Sequence, residues 1–339
     1  MESKRVQRVD LQKRVLERYL RLPRELREVP VFVAVSGGLD SSVLAAVALS
    51  LRERLPALRF LHVNYRLRIP DSDREEAALR AWAGREGVAI DALRLRPQPK
   101  RANLQAWARE LRLAFFQKVM LRRGGGLLWM AHHRQDQAET VLVRLLRGAG
   151  LKGLGGMESL ETLGGLWVFR PFLEVPRSAL EVYAKSHSLE FHHDRSNDGD
   201  FYLRNRIRHR ILPLLLEENP RACEVLEKVA RRAGEAADAL EVLAKAWLKK
   251  RAKGGRGVPQ EIERKALCRH PVALRAAILE VWLAARTEGP LALGVLLEEV
   301  LETLESPLKT REFPLKGGKN LVLSSQKIQI RPRSRKARY

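Results

Sequence analysis

The sequence predicts an α/β fold: a Rossmann-like parallel sheet with helices on both faces, followed by an all-helical domain and a small, basic, β-containing C-terminal end. Three observations carry this. Apolar strand-like runs alternate with helical stretches in the first half, a glycine-rich turn follows the first run directly, and long amphipathic helices replace the alternation after about residue 215. Strands that read as continuous apolar runs are buried on both faces, as in a parallel sheet covered by its crossover helices.

The first strand is Val31-Phe32-Val33-Ala34-Val35, ending at Ser36-Gly37-Gly38, with helical character over residues 42–55. Strand signals recur at residues 58–65, 88–95, 127–132 and 166–172, and helical stretches lie at 73–86, 103–122 and 136–147. In such sheets ligands bind beyond the carboxyl ends of the strands. From Val225, the residues Val229, Ala233, Ala236, Leu240, Leu243 and Trp247 recur at steps of three or four, the apolar stripe of one long helix. A Lys/Gly/Arg stretch at 249–257 breaks it; helices are expected at 261–267, 272–286 and 291–304, then short strands around Gly317-Gly318 and a basic tail over 331–339. The expected divisions are a basic helical segment (1–30), a catalytic domain (31–215), a helical domain (216–306) and a short basic segment (307–339).

Composition narrows the function. The 339 residues carry 63 Lys plus Arg against 40 Asp plus Glu, a formal net charge of +23. Self-repulsion of that size opposes compaction, so an anionic partner is expected: nucleic acid first, an anionic membrane surface second, a merely charge-rich soluble protein third. Val6, Val9, Leu11, Val15, Leu16, Tyr19 and Leu20 are interrupted by Arg, Lys and Glu, which describes an amphipathic basic helix and not a signal peptide. No run approaches the roughly 18 apolar residues that cross a bilayer, and a cytoplasmic protein is expected. Cys223 and Cys268 are far apart and form no CxxC pair, so neither a disulfide framework nor an iron–sulfur cluster is expected.

The strongest chemical signal is Ser36-Gly37-Gly38-Leu39-Asp40-Ser41-Ser42 between strand and helix. Glycines let backbone N–H groups close around an anion, and the helix start adds a positive dipole end. Asp40 beside phosphates requires a cation between them, which points to magnesium bound by Asp40. The string lacks the Gly-Lys-Ser/Thr of a Walker loop. It resembles the pyrophosphate loop of the N-type ATP pyrophosphatases, which adenylate an oxygen, release pyrophosphate and let a nucleophile displace AMP.

The second string is Ala131-His132-His133-Arg134-Gln135-Asp136-Gln137-Ala138-Glu139-Thr140, in which Asp136, Glu139 and Thr140 fall within about one helical turn. It resembles the His-x-x-Asp-Asp-Gln-Ala-Glu-Thr string of the tRNA(Ile)-lysidine synthetase family, with Gln135 at the first Asp position. Further matches to that family follow in order. They are Val63-Asn64-Tyr65-Arg66-Leu67-Arg68 (Tyr65 where His is common), Ala108-Arg109-Glu110-Leu111-Arg112, and the glycine-rich segment 146–157. Beyond these come Arg170-Pro171-Phe172-Leu173, Asp194-Arg195-Ser196-Asn197, Arg204-Asn205-Arg206-Ile207-Arg208 and Pro213. Taken singly, the glycine segment is an ordinary loop and the arginines are solvated helix faces; their joint order carries the resemblance.

That resemblance implies adenylation of O2 of the wobble cytosine of an isoleucine tRNA (CAU anticodon) by ATP, then attack at C2 by the ε-amine of L-lysine. It implies ATP contacts at Ala34, Ser36, Gly37, Gly38, Leu39, Asp40, Ser41, Ser42, Asn64 and Arg68. Asp136 and Glu139 are expected to receive the lysine ammonium, and Arg112, His132 and Arg208 to stabilise the transferred adenylyl charge. Arg204, Asn205, Arg331, Arg333 and Arg335 are expected to contact tRNA. No membrane and no obligate protein partner is implied. A tRNA or nucleotide thiolase and a non-catalytic RNA-binding protein with a decayed nucleotide loop are the competing readings.

Overall fold

A computed structural model describes residues 10–67, 69–96, 104–191, 202–252, 257–287, 294–306, 310–315 and 317–333. The chain divides into two compact units, residues 1–143 with 157–227 and residues 144–156 with 228–339.

The first unit holds a six-stranded sheet of β1 (Val31–Ala34), β2 (Leu58–Asn64), β3 (Ala89–Arg94), β4 (Leu127–Trp129), β5 (Leu160–Leu163) and β6 (Leu166–Phe169), in the order β3-β2-β1-β4-β6-β5. Every neighbouring pair is parallel except β5 with β6. The antiparallel edge strand β5 is not expected from the sequence. It joins β6 through Gly164 and Gly165 at φ 56° and 78°, the left-handed conformation that a tight hairpin needs. Because β1 lies between β2 and β4, the chain turns outward on both sides of β1. The crevice at the carboxyl ends of β1 and β4 is therefore the switch point where ligands bind.

The helices that follow in chain order are α1 (Leu11–Leu20), α2 (Arg24–Arg27), α3 (Leu39–Ser50), α4 (Asp71–Arg85), α5 (Leu104–Arg122), α6 (Arg134–Leu146), α7 (Leu151–Leu154), α8 (Arg177–Ser186), α9 (Leu203–Arg206), α10 (Leu212–Glu218) and α11 (Ala222–Arg251). The first helix after the glycine turn thus begins at Leu39, earlier than the expected residue 42, which puts Asp40 in its first turn. Alternation along the strands fills both faces of the sheet. Val31, Val33, Phe60, Leu127 and Trp129 pack with Val43, Leu44 and Val47 of α3, Leu180 of α8, and Leu11, Val15 and Tyr19 of α1. Phe32, Leu61, Val63 and Leu128 face the other way, against Phe116 and Met120 of α5. Val6 and Val9 of the expected N-terminal helix lie outside the described residues; Leu20, also placed on its apolar face, is exposed.

In the second unit α11 is followed by β7 (Glu261–Glu263), α12 (Arg264–Cys268), α13 (Val272–Arg286), α14 (Gly294–Glu305), β8 (Arg311–Leu315), β9 (Lys319–Leu323) and β10 (Lys327–Pro332). The strands form an antiparallel sheet in the order β7-β10-β9-β8. Helices and strands share one core of Ala244, Trp247, Leu248, Ile278, Trp282, Val300, Phe313, Leu321 and Ile328. Two expectations change. Residues 261–263 pair with β10 and are not helical. The buried line of α11 runs through Ala230, Ala244, Trp247 and Leu248, while Val225, Val229 and Leu243 of the expected stripe are exposed. Among the described residues no helix is long and apolar enough to cross a membrane.

Candidate active site

The site is built where β1 and β4 end. After Ala34 the backbone turns at Gly37, whose φ of 88° is strained for any residue with a Cβ. Gly38 caps α3, its carbonyl accepting the Ser42 amide at 3.0 Å. Ser41 Oγ accepts the Ser36 amide at 3.1 Å and donates to the Gly38 carbonyl at 3.0 Å. Ser36 Oγ is therefore the donor across the 3.0 Å hydroxyl pair. These two hydroxyls brace the loop from inside. The first-turn amides of α3 have no acceptor within the helix, and they present a partial positive charge to an incoming anion.

Asp40, in that first turn, faces His133 from the β4 end. His133 Nε2 lies 3.5 Å from Asp40 Oδ2 and 3.4 Å from Asp136 Oδ2, and its Nδ1 accepts the Gln135 amide at 3.2 Å. With Nδ1 used as an acceptor, Nε2 carries the hydrogen that the two carboxylates share. Asp136 Oδ2 also accepts the His133 backbone amide at 3.0 Å, the back-reaching bond of a capping box at the start of α6. One turn on, Glu139 is 1% exposed.

Two arginines from the segment beginning at α9 close this pair. Arg204 donates to Glu139 Oε2 at 2.8 Å and to Asp136 Oδ1 at 3.1 Å. Arg208 donates to both Glu139 oxygens and to Asp136 Oδ1 at 3.0 Å. Burial alone would raise the Asp136 pKa; the neighbouring His133, His132 and Arg204 and the His133 amide overcome it and hold this carboxyl well below the usual carboxylate range. Asp136 is therefore an anion at any physiological pH, suited to gripping a cation.

His132 points elsewhere. Its Nδ1 accepts Arg170 Nε at 3.0 Å, and Arg170, only 2% exposed, also donates to the Glu158 carbonyl at 2.8 Å and to Glu161. Burial, together with Arg170, Arg204 and Arg112 and against the pull of Asp136, pushes His132 down to about 3. It is a neutral imidazole at neutral pH.

The expected residues divide as follows. Asp40, Asp136, Glu139 and Arg208 are joined through His133 and the carboxylate–guanidinium square. Arg112 Nε is buried with no hydrogen-bond partner, and its charge is felt at His132. Asn64 is 3% exposed; its Nδ2 donates to the Ser72 carbonyl, Asp73 and Glu76 at 2.9–3.0 Å, which braces the β2–α4 connection. Glu76 in that network is pulled to about 2, because hydrogen bonds from Arg94, Asn64 and Arg80 overcome its burial. Arg204 turns onto the carboxylates, and Asn205 is 7% exposed. Arg331 and Arg333 belong to the second unit; Arg68, Arg335 and the 194–197 string lie outside the described residues. Sequence reasoning assigns no part to His133 or Arg170. A signal for His133 exists: it precedes a helix whose third residue is an aspartate.

Asp40 Oδ1 is buried without a hydrogen-bond partner. No cluster of three or more His, Cys, Asp or Glu among the described residues could hold a metal by itself. One free carboxylate oxygen facing a phosphate loop fits magnesium, which keeps several waters and takes one or two carboxylates plus phosphate oxygens.

Comparison with known proteins matches residues 11–215 to a family described as the PP-loop domain. The chain is 42% identical over 205 residues to a tRNA(Ile)-lysidine synthase of Exiguobacterium sibiricum, covering 60% of this chain and 47% of that protein. It is 41% identical over 216 residues to the tRNA(Ile)-lysidine synthase of Pseudomonas syringae pv. tomato (63% and 47%), and 34% identical over 267 residues to that of Pseudomonas putida (76% and 61%). The chain thus spans about half the length of the first two of these relatives. Among solved structures, a U34-tRNA thiolase from Methanococcus maripaludis with its [4Fe-4S] cluster superposes with a TM-score of 0.55 at 18% identity, covering 66% of this chain and 78% of the other, a likeness of fold alone.

Proposed function

The chain belongs to the PP-loop domain family, and on that premise we propose that it joins L-lysine to C2 of the wobble cytosine of an isoleucine tRNA with a CAU anticodon, splitting ATP to AMP and pyrophosphate. One observation carries the reading: His133 Nε2 sits within 3.5 Å of Asp40 on the phosphate loop and of Asp136 in the carboxylate pair. In this reading the phosphate-binding loop and the site for the lysine amine are bridged by one imidazole.

The chemistry has two displacements. Cytosine O2 attacks the α-phosphorus of ATP, the bond to the β-phosphate oxygen breaks, and pyrophosphate leaves. The lysine ε-amine then attacks C2, the C2–O2 bond breaks, and AMP departs carrying O2. The loop amides at Gly37–Ser42 hold the phosphates, and magnesium bound at Asp40 would neutralise their charge. Arg112 and Arg208 face the charge that develops on the adenylyl group, and neutral His132 offers its Nε2–H, with positioning supplying most of the rate.

The amine presents the energetic difficulty. At a reference pKa of about 10.4, freeing it at pH 7 costs roughly 4.6 kcal/mol. Asp136 and Glu139 orient the incoming ammonium in exchange for part of their pairing with Arg204 and Arg208, and a carboxylate in reach takes the proton as the C–N bond forms. The modified base pairs with A instead of G, which moves codon reading from AUG to AUA.

Residues 31–215 perform catalysis in this reading. The basic residues beyond 216, among them Arg331, Arg333 and Arg335, hold the tRNA phosphates, which supply affinity more than sequence choice. The enzyme acts in the cytoplasm, where its tRNA is. Mass spectrometry of that tRNA after incubation with ATP and isotopically labelled lysine tests the proposal: a labelled lysyl adduct on the anticodon cytosine supports it, and pyrophosphate release without any adduct contradicts it.

A further inference from the structure

In the second unit, the end of α13, the β8–β9 turn and the end of β10 border an open concavity of about 450 Å³, lined by Ala285, Arg286, Gly317, Gly318, Lys319, Ile330, Arg331 and Pro332. Three of these eight residues are cations and none is an acid. Two acids of the same sheet are engaged elsewhere: Glu312 accepts Asn320 Nδ2 at 2.7 Å, and Glu261 pairs with Lys327 at 2.7 Å. Among the described residues no carboxylate is ion-paired with Arg286, Lys319 or Arg331. Arg286 reaches the Gln260 carbonyl at 3.4 Å and Lys319 the Arg286 carbonyl at 3.5 Å, whereas Arg331 donates to Gln329 Oε1 at 2.7 and 3.0 Å.

Like charges brought around one hollow repel unless an anion enters it. The register places Lys319 directly across from Pro332 and, on its other side, from Leu315, so the lysine shares a sheet face with Pro332 and Ile330 on an inner strand, while Arg331, between those two, points to the opposite face. Gly317 and Gly318, at φ 76° and 68°, turn the hairpin there without side chains, and a Cβ at either would meet nothing within 4 Å. The rest of the wall is apolar: Ala285, Ile330 and Pro332. The volume falls within the range of about 300–1,000 Å³ typical of small-molecule sites and far exceeds a lone phosphate. Two cations, Arg286 and Lys319, beside the apolar Ala285, Ile330 and Pro332 match a nucleoside monophosphate unit.

We propose that this hollow takes one unpaired nucleotide of a bound RNA chain, its phosphate against Arg286 and Lys319 and its base against Ile330 and Pro332. The proposal rests on the RNA-modifying function proposed above. A nucleotide within a chain and a free one share the recognised chemistry. The chain is favoured because the protein carries an excess of 23 positive charges, which a single mononucleotide would not offset.

The test uses the full chain and measures binding apart from catalysis. Affinities for an unmodified isoleucine tRNA transcript, AMP and inorganic phosphate are compared between the wild type, R286Q/K319Q and K319R. The double variant is expected to bind the tRNA about tenfold more weakly, with a log–log salt slope less negative by about 0.7–0.9 for the one phosphate no longer neutralised. ATP affinity and thermal midpoint should stay unchanged, and K319R should bind like the wild type. Unchanged tRNA affinity in the double variant overturns the site while leaving the proposed reaction standing. Saturable AMP binding that the double variant loses, with tRNA affinity intact, overturns the RNA assignment. Failure of the wild type to bind tRNA at all would overturn the reaction and the site together.

Discussion

Arg170 donates its Nε–H to His132 Nδ1 at 3.0 Å, and the bond fixes which imidazole nitrogen carries the proton. A guanidinium cannot accept, so Nδ1 must, and the neutral ring holds its hydrogen on Nε2. Arg170 is anchored in turn by the Glu158 carbonyl and by Glu161. Replacing it by leucine strands Glu161 and frees the ring to change tautomer. Arg170→Leu is expected to cost roughly 3 kcal/mol of stability, the lower end of the range for breaking a buried ion pair, and to lower kcat more than it raises KM for ATP. Urea unfolding and steady-state pyrophosphate release check both parts. Unchanged stability would remove the anchoring role.

His132 also sets an acid limit. Its folded-state pKa of about 3 lies below the ordinary histidine value of about 6.5, so the unfolded chain takes up a proton first on acidification. The stability tied to this ring is complete above pH 6.5 and falls toward pH 3, with a slope approaching about 1.4 kcal/mol per pH unit. Glu76, lowered to about 2, adds its own loss below about pH 4.3. Urea midpoints measured from pH 7 to pH 4 should therefore decline less steeply in His132→Gln than in the wild type. Parallel declines would contradict the assignment.

The carboxylate–guanidinium square predicts strong coupling. Removing Arg208 leaves Glu139, 1% exposed, with Arg204 as its remaining guanidinium partner. Arg208→Gln and Glu139→Gln should each destabilise the fold by about 2–4 kcal/mol, and the double variant by much less than their sum. A double-mutant cycle by chemical denaturation measures this, and additive effects would mean that the four side chains do not act as one unit.

The loop carboxylate and its neighbour separate charge from shape. Asp40→Asn is expected to retain the wild-type melting temperature and lose activity by at least about a hundredfold, close to 3 kcal/mol, because the amide is a poor magnesium ligand. Gln135→Asp is expected to change activity by less than about tenfold, since Asp stands at this position in the family string that residues 132–140 resemble. Near-normal turnover in the first variant at ordinary magnesium, or collapse of the second, would refute the respective role.

What the sequence discloses about this molecule follows from range. The phosphate loop and the Asp136–Glu139 pair are legible because their partners lie within one turn of helix or one strand–helix junction. The choice between His132 and His133 is not, because adjacent residues at a strand end diverge and only the tertiary fold decides which one meets Asp40. Arg204 reads as a solvated cation until α9 is set against α6, where it covers two carboxylates. The edge strands β5 (Leu-Glu-Thr-Leu) and β7 (Glu-Ile-Glu) lack the continuous apolar run that marks the equally short β1, β4 and β6. On α11 the periodicity finds the buried Trp247 but misses Ala230 and Ala244, whose small side chains give a weak signal, while Val225 and Leu243, the bulkier signals, face outward.

Oxygen tracing is the most direct test of the two-displacement reaction. An isoleucine tRNA carrying ¹⁸O at O2 of the wobble cytosine is incubated with the enzyme, ATP and lysine, and the released AMP is weighed by mass spectrometry. Adenylation of O2 followed by amine attack at C2 requires that AMP carry one ¹⁸O and that the modified base retain none. Unlabelled AMP alongside modified tRNA would show that the adenylyl group never resided on the base, and would contradict the mechanism.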